Sequence, residues 1–341
     1  MCDNGYQKVL KAINGISMET PPMSLILSLY GSRITSCSSE KYYTDATSYF
    51  KGQQAIIERY NPDIVFTPFA LSFEGEAYGS ELKYLGKMPP QLKKPVIESF
   101  DQIKNLRHPS YNSGSKAYVL EATSLLAQQY KKEKFIAGFS LSCIDACTMI
   151  MGIEGFLDTL LFHSNETKSL FEITSRHFIE YGNALFETGI DALVIPSSFC
   201  SPTIVTNRMI EEVILGPLTN ALRQIRGPVI LHHGSAVNLK FLHYFVDLPN
   251  IVGFVIDDRE SLGEARKIAG EKLILGNLGI SLLAHKKPGI IRQKCCDILR
   301  ERRNDHRFIL LNAGPDVKYD TPHINIMAVC NAVKDFANHE S

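Results

Sequence analysis

The sequence has no apolar run long enough to span a bilayer. Residues Met1–Gly15 contain neither an apolar signal core nor an Arg-rich amphipathic presequence. Neither sign of charge is in excess: Lys plus Arg and Asp plus Glu number 36 each, a formal net charge of zero. Nothing electrostatic therefore argues for nucleic acid or an anionic membrane as a partner. No Gly-x-Gly-x-x-Gly follows any early strand pattern, which argues against a dinucleotide-binding sheet. The eight cysteines (2, 37, 143, 147, 200, 295, 296 and 330) lack the dense spacing of a secreted disulfide framework. A reducing, cytoplasmic location is expected, with any functional cysteine acting as a thiolate ligand or nucleophile.

What is present is an ordinary globular balance, 45% hydrophobic and 21% charged. Beyond about residue 115, short apolar runs alternate with amphipathic stretches. Phe135–Phe139, Ala192–Ile195, Pro228–His232, Ile251–Ile256, Lys272–Leu275 and Phe308–Leu311 read as strands, as do Ser24–Leu29 and Ile64–Phe66 earlier on. Gly152–Phe162, Asn165–Gly189, Asn207–Ile225, Lys240–Val246, Ser261–Ala269, Gly289–Arg303 and His323–Ala337 read as helices. Such alternation implies βαβ units and a parallel sheet, and the strand count fits a closed (β/α)₈ TIM barrel better than an open sheet. The polar and aromatic stretch 31–60 and the Pro- and Lys-rich stretch 86–113 read as excursions from a single domain spanning residues 1–341.

Several stretches, in order, resemble the uroporphyrinogen-decarboxylase-like superfamily. They are Gln7–Gly15 followed by Pro21-Pro22, Asn61–Phe66 running on to Glu76-Ala-Tyr-Gly79, Ile274–Asn277, and Asn312–Asp316 with Thr321–Asn325. The resemblance implies a barrel with its active site at the C-terminal strand ends. It also implies one of two activities: decarboxylation of a tetrapyrrole, or methyl transfer between a corrinoid and a thiol such as coenzyme M. The decarboxylases carry an aspartate after the first apolar strand, where this chain has Pro68. Their Arg-rich N-terminal loop is reduced here to Arg33, and their last-loop histidine falls at Pro315. The turn around Pro68-Phe69 is closer to the methyltransferase branch. That branch implies zinc, held by a His-x-Cys pair and a further cysteine in the last loop. Here His232 matches, but Gly234 and Pro315 stand where the two thiolates belong.

A substitute zinc site is the expectation, built from His232, His233, Glu212 and Cys200 near the strand ends. Strand alternation predicts that one of the adjacent histidines faces the mouth and the other packs outward. The bland alternatives are a structural hydrogen bond for either histidine, a buried filler role for Cys200, and a solvated helix face for Glu211-Glu212. Cys143 and Cys147 share a helix face by spacing, and two core thiols are the simpler reading. Asp258 and Asn277 are candidate catalytic groups beside Asp257, and Arg33 with Tyr30 is a candidate anion holder, each weighed against a loop cap. His323 reads as lying near a helix start.

The functional expectation is a corrinoid-linked methyltransferase acting on a small methyl donor such as a methyl ether, or on a thiol acceptor. A separate corrinoid protein would be its partner, and the decarboxylase branch implies a homodimer. The alternatives are a decarboxylase with an altered site and a barrel that binds a ligand without catalysis.

Overall fold

The computed structural model describes residues 3–338, so Cys2 lies outside the described residues. In chain order the strands are β1 (Ile64–Phe66), a hairpin of β2 (Glu81–Lys83) and β3 (Gln91–Lys94), then β4 (Phe135–Phe139), β5 (Ala192–Pro196), β6 (Val229–His232), β7 (Ile251–Val255), β8 (Leu273–Gly279) and β9 (Phe308–Ala313). Apart from the antiparallel hairpin, they form one parallel sheet in the order β1-β4-β5-β6-β7-β8-β9.

The stretch expected as a first strand, Ser24–Leu29, closes this sheet without being a regular strand. A single parallel bridge joins Met23 to Leu310. Leu310 N donates to Pro22 O at 2.9 Å and Ser24 N to Leu310 O at 3.0 Å on one side. On the other, Asp63 N donates to Met23 O at 2.9 Å and Ser24 Oγ to Ile64 O at 2.7 Å. Further along, side chains replace the ladder: Asn312 Oδ1 accepts from Ile26 N at 2.7 Å, and the Asp316 carboxylate accepts from Ser28 N and Leu29 N. Beyond Ser24, the amides of Ile26, Ser28 and Leu29 are thus satisfied by side chains and not by a neighbouring strand's backbone.

Alternation along the strands builds the two layers of core. Ile64, Phe66, Ala137, Val194, Ile230, Leu275 and Leu311 point inward and fill the barrel, which is sealed below by Val9 and Ala12 of the helix Gly5–Asn14. Asn4 and Gln7 form a reciprocal cap at that helix start, and Gly15 ends it at φ 67. Val65, Ile136, Leu193, Leu231, Phe254 and Ile274 point outward into the larger cluster under the helices.

Several expected helices differ in detail. The helix after β4 begins earlier, at Ala146, and is broken at Gly152, whose φ of 75° with ψ of 165° no helix contains. The expected helix Asn207–Ile225 is a chain of short pieces with a π-turn at Ile210–Ile214, and Leu239–Tyr244 is a 3₁₀ turn. The stretch 31–60 is largely helical (Tyr30–Ile34, Ser39–Tyr42, Ala46–Tyr60), because Tyr42 and Tyr49 bury their rings against the barrel wall.

Candidate active site

At the C-terminal ends of the strands lies a cavity of ≈ 990 Å³. Its walls come from the loop after β1 (Phe69–Ser72), the tip of the β2–β3 hairpin (Lys87–Leu92), Met149 and Ile153 beyond β4, His285, and the loop after β9 (Pro315–Asp320). Most of this lining is apolar, as expected for a pocket that buries a small molecule. The hairpin is tied to the last loop by Lys87 and Asp320, 3.0 Å apart, with Lys87 Nζ also 5.9 Å from the Tyr319 ring centre. Both charged groups are about two-thirds exposed, so the pair is screened and worth at most about 1 kcal/mol.

Asp316 is the carboxyl group on the cavity wall that lacks a cationic partner among the described residues. Its two oxygens accept from Ser28 N at 3.1 Å and Leu29 N at 3.0 Å. Burial pushes its pKa up to about 8 against the pull of those amides. Beside it, Ser28 Oγ accepts from Phe69 N at 3.1 Å and lies 3.2 Å from the Tyr49 hydroxyl. One aspartate therefore joins the irregular closing segment to the loop after β9 and faces the cavity.

His232 and His233 are both buried, with rings stacked at 4.6 Å. They separate as alternation requires: His232 joins the lining of the barrel interior, and His233 lies on the other side with Asn238 of the loop after β6 and Glu260 of the loop after β7. Gly234 N donates to His232 Nδ1 at 2.9 Å, which leaves the proton on Nε2, 3.3 Å from Gly314 O. His233 Nε2 accepts from Gly314 N at 3.1 Å, and its Nδ1 lies 3.2 Å from Asp257 Oδ2 and 3.0 Å from Ser235 N. Ser235 N–H also points at Nδ1, and a neutral ring can accept only one of the two amides; Asp257 favours the proton on Nδ1, which leaves Nε2 as the acceptor for Gly314 N. Burial drives His232 well below the ordinary histidine range and His233 down to about 4, so both rings are neutral.

The four expected zinc ligands do not converge. Both His232 nitrogens are engaged by backbone groups, and Cys200 is a buried thiol pushed well above the usual range by desolvation. Glu212 is exposed on a helix and paired with Arg208 at 2.9 Å. Among the described residues no three His, Cys, Asp or Glu side chains are grouped so as to hold a metal ion. Position 234 has no room for the relatives' thiolate either: at φ +62, a Cβ on Gly234 would run into Ser198 Oγ. The residues present do not fit zinc, because a ligand set of three or four convergent donors is absent among them.

The other expected site residues serve as fasteners. Asn277 is buried and donates to Asp257 O and Glu260 O, both at 3.0 Å. Arg33 Nη1 donates to Tyr319 O at 2.9 Å and Thr321 O at 2.6 Å, holding the last loop instead of a ligand. Asp258 is exposed and packs against Gly279. Asp257 is held below the usual carboxylate range: burial opposes this, but Arg259 and the Arg259 amide outweigh it. Cys143 and Cys147 are buried core thiols, with Cys147 Sγ donating to Cys143 O at 3.2 Å. Between them in sequence, Asp145 accepts from Ser198 N at 2.9 Å and so joins the loops after β4 and β5. His323 stands at a helix start, its Nδ1 2.7 Å from the Tyr60 hydroxyl.

A buried charged group behind the cavity had no counterpart in the sequence reading. Lys116 Nζ lies 2.6 Å from Glu74 Oε1, and His177 Nε2 lies 3.5 Å from Glu74 Oε2, all three side chains at most 5% exposed. Lys116 Nζ also sits 3.9 Å above the Tyr181 ring. Burial alone would raise the Glu74 pKa, but Lys116 and His177 bring it down to about 2. Ser140 Oγ and Leu141 N, just past β4, donate to the same carboxylate at 3.2 and 3.3 Å. Phe69, Ala70 and Leu71 separate this group from the large cavity.

Comparison with known proteins places these features in a family. The chain is 22% identical over 280 residues to the methylcobamide:CoM methyltransferase MtbA of Methanosarcina acetivorans, covering 80% of each chain. It is 23% identical over 256 residues to the uroporphyrinogen decarboxylase of Orientia tsutsugamushi, covering 72% of this chain and 73% of that one. The solved structure of a methyltransferase from Methanosarcina mazei superimposes with a TM-score of 0.86 at 17% identity, covering 98% of this chain and 99% of that chain, which bears out the barrel. The family model for uroporphyrinogen decarboxylase matches residues 5–336, and the chain belongs to that family.

Proposed function

We propose that this chain is a methyltransferase that moves a methyl group between a small molecule and a corrinoid carried by a separate protein. The small molecule is a methylated donor such as a methyl ether, or a thiol acceptor. The observation that carries this reading is the mouth cavity: ≈ 990 Å³, mostly apolar, and open where the strands of this fold present their reactive groups. Similarity to a methylcobamide:CoM methyltransferase over 80% of the chain supports it.

The chain's own residues supply binding and orientation. Phe69, Leu71, Met149 and Val317 bury the body of the small molecule and keep water from the reacting carbon. Gly314, gripped by both histidines, fixes the loop that carries Asp316. No step is assigned to zinc, since the donors present do not fit it. Decarboxylation of a tetrapyrrole is the weaker reading. Pro68 offers no carboxylate to pyrrole N–H groups.

The reading is tested by incubating the purified chain with free cobalamin in both directions, anaerobically. One direction offers cob(I)alamin with a panel of methyl ethers, and the other offers methylcobalamin with a panel of thiols. Chain-dependent conversion between the two cobalamin spectra supports the proposal. No conversion in either direction, together with turnover of uroporphyrinogen, would replace it with the decarboxylase reading.

A further inference from the structure

Methyl transfer from an ether oxygen leaves an anion that must be protonated, and the zinc that could bear that charge has no fitting ligand set here. The mouth cavity has two carboxyl groups on its walls, Asp316 and Asp320. Asp320 is exposed and neutralised by Lys87. Asp316 is different in three respects. It is fixed by two backbone amides, one to each oxygen, so its orientation does not depend on a mobile side chain. Each carboxyl oxygen has a second lone-pair position, which leaves room for a proton and a further hydrogen bond. Its cavity neighbours Leu29, Phe69, Val317 and Tyr319 are apolar or aromatic and suit a flat ring.

We propose that Asp316 is the catalytic acid for aryl methyl ethers, donating its proton to the departing phenolic oxygen as the methyl group leaves. This inference rests on the methyltransferase reading and narrows its substrate class. As the methyl C–O bond breaks, its electron pair stays on the oxygen, and the carboxyl proton moves to that oxygen to give a neutral phenol. The methyl carbon takes its new bond from the electron pair of the reduced, cob(I)-state corrinoid brought by the partner protein. Asp316 is left as a carboxylate and regains its proton from solvent.

The surroundings keep that proton in place before reaction. Tyr42 and Tyr43 lie near Asp316, are buried and stay neutral, and so bring no cation that would hold it ionised. His285 and Lys318, 3.4 Å apart, and the Lys87–Asp320 pair stand further out on the rim. With its pKa pushed up to about 8 by burial, Asp316 is mostly protonated at neutral pH. A phenol, with a pKa of about 10, is a weaker acid than this group, so proton transfer to the leaving phenoxide runs downhill.

The test compares wild type, D316N and D316E with cob(I)alamin and two donors, methoxybenzene and 4-methoxybenzonitrile. The nitrile makes the departing phenol more acidic and less in need of a proton. D316N should lose about 10²–10⁴-fold in kcat with methoxybenzene and far less with the nitrile, with KM changed little. D316E should recover part of the methoxybenzene rate. Equal losses with both donors in D316N would overturn the acid role and leave Asp316 a structural anchor. Wild type that methylates thiols yet demethylates neither ether would overturn this inference and leave the methyltransferase reading standing. Wild type inactive in both directions would overturn both.

Discussion

His233 Nε2 accepts the amide hydrogen of Gly314 at 3.1 Å, so the turn that presents Asp316 is fastened to the end of β6. The same ring faces Asp257 through Nδ1, and Asp257 is bound in turn by Arg259. A residue expected as a metal ligand is thus the middle of a chain of contacts leading from a surface arginine to the floor of the cavity.

His233→Ala removes an acceptor from a buried amide and a partner from a buried carboxylate. The expected cost is about 1–3 kcal/mol, read as a lower urea midpoint with an unchanged slope. Its pH dependence has a definite sign. The folded pKa of about 4 is below the ordinary 6.5, so the neutral ring is favoured in the fold. The wild-type contribution is present above pH 6.5 and lost as pH falls toward 4. The gap between wild type and variant should therefore narrow on acidification.

Lys116→Met strands a buried carboxylate at Glu74. It should destabilise the protein by about 3–5 kcal/mol, whereas a paired Glu74→Gln, Lys116→Met variant should recover much of that loss. Chemical denaturation of the two variants distinguishes a coupled pair from independent contributions. Because the folded Glu74 pKa is lowered from 4.5 to about 2, its stabilisation is present above pH 4.5 and lost as pH falls toward 2.

Asp316 runs the opposite way. Its folded pKa is raised from 3.8 to about 8, so wild type loses stability relative to D316N as pH rises through that interval. Thermal midpoints of both proteins across the range should converge or cross in that direction. A flat difference would mean that the carboxyl is ionised in the fold throughout.

Gly234→Cys restores the residue type of the thiolate-bearing relatives but not a ligand. Its left-handed backbone and the Ser198 contact should cost about 1–3 kcal/mol. Elemental analysis should find zinc well below one per chain in both wild type and variant. Stoichiometric zinc in wild type, lost on His232→Ala, would refute the ligand geometry described here.

Much of the barrel was legible because its cause is local. Inward and outward residues alternate within each strand, and that periodicity implies that the two adjacent histidines separate, without saying which faces inward, and locates six of the parallel strands from the apolar runs after residue 115. The closing segment Ser24–Leu29 misled for the same reason: its apolar pattern is that of a strand, but Asn312 and Asp316, far along the chain, take its amides. The Glu74–Lys116–His177 group leaves no periodic trace, since each member is a single ionisable side chain on a different helix. In the sequence Asp316 stands only as the end of the Asn312–Asp316 stretch that carries the family resemblance, and only the fold shows that it faces the cavity. Glu212 and Cys200 were credible ligands by type, and their side chains were sent elsewhere by an Arg208 pair and by burial.

The central claim is methyl transfer at the barrel mouth, and an isotope follows it most directly. Methoxybenzene carrying a labelled methyl group is incubated with the chain and reduced cobalamin, and the products are weighed by mass spectrometry. Labelled methylcobalamin and unlabelled phenol, formed together and only with the chain present, are the predicted result. Label remaining in the ether, with labelled methyl absent from thiol acceptors offered with labelled methylcobalamin, would contradict it.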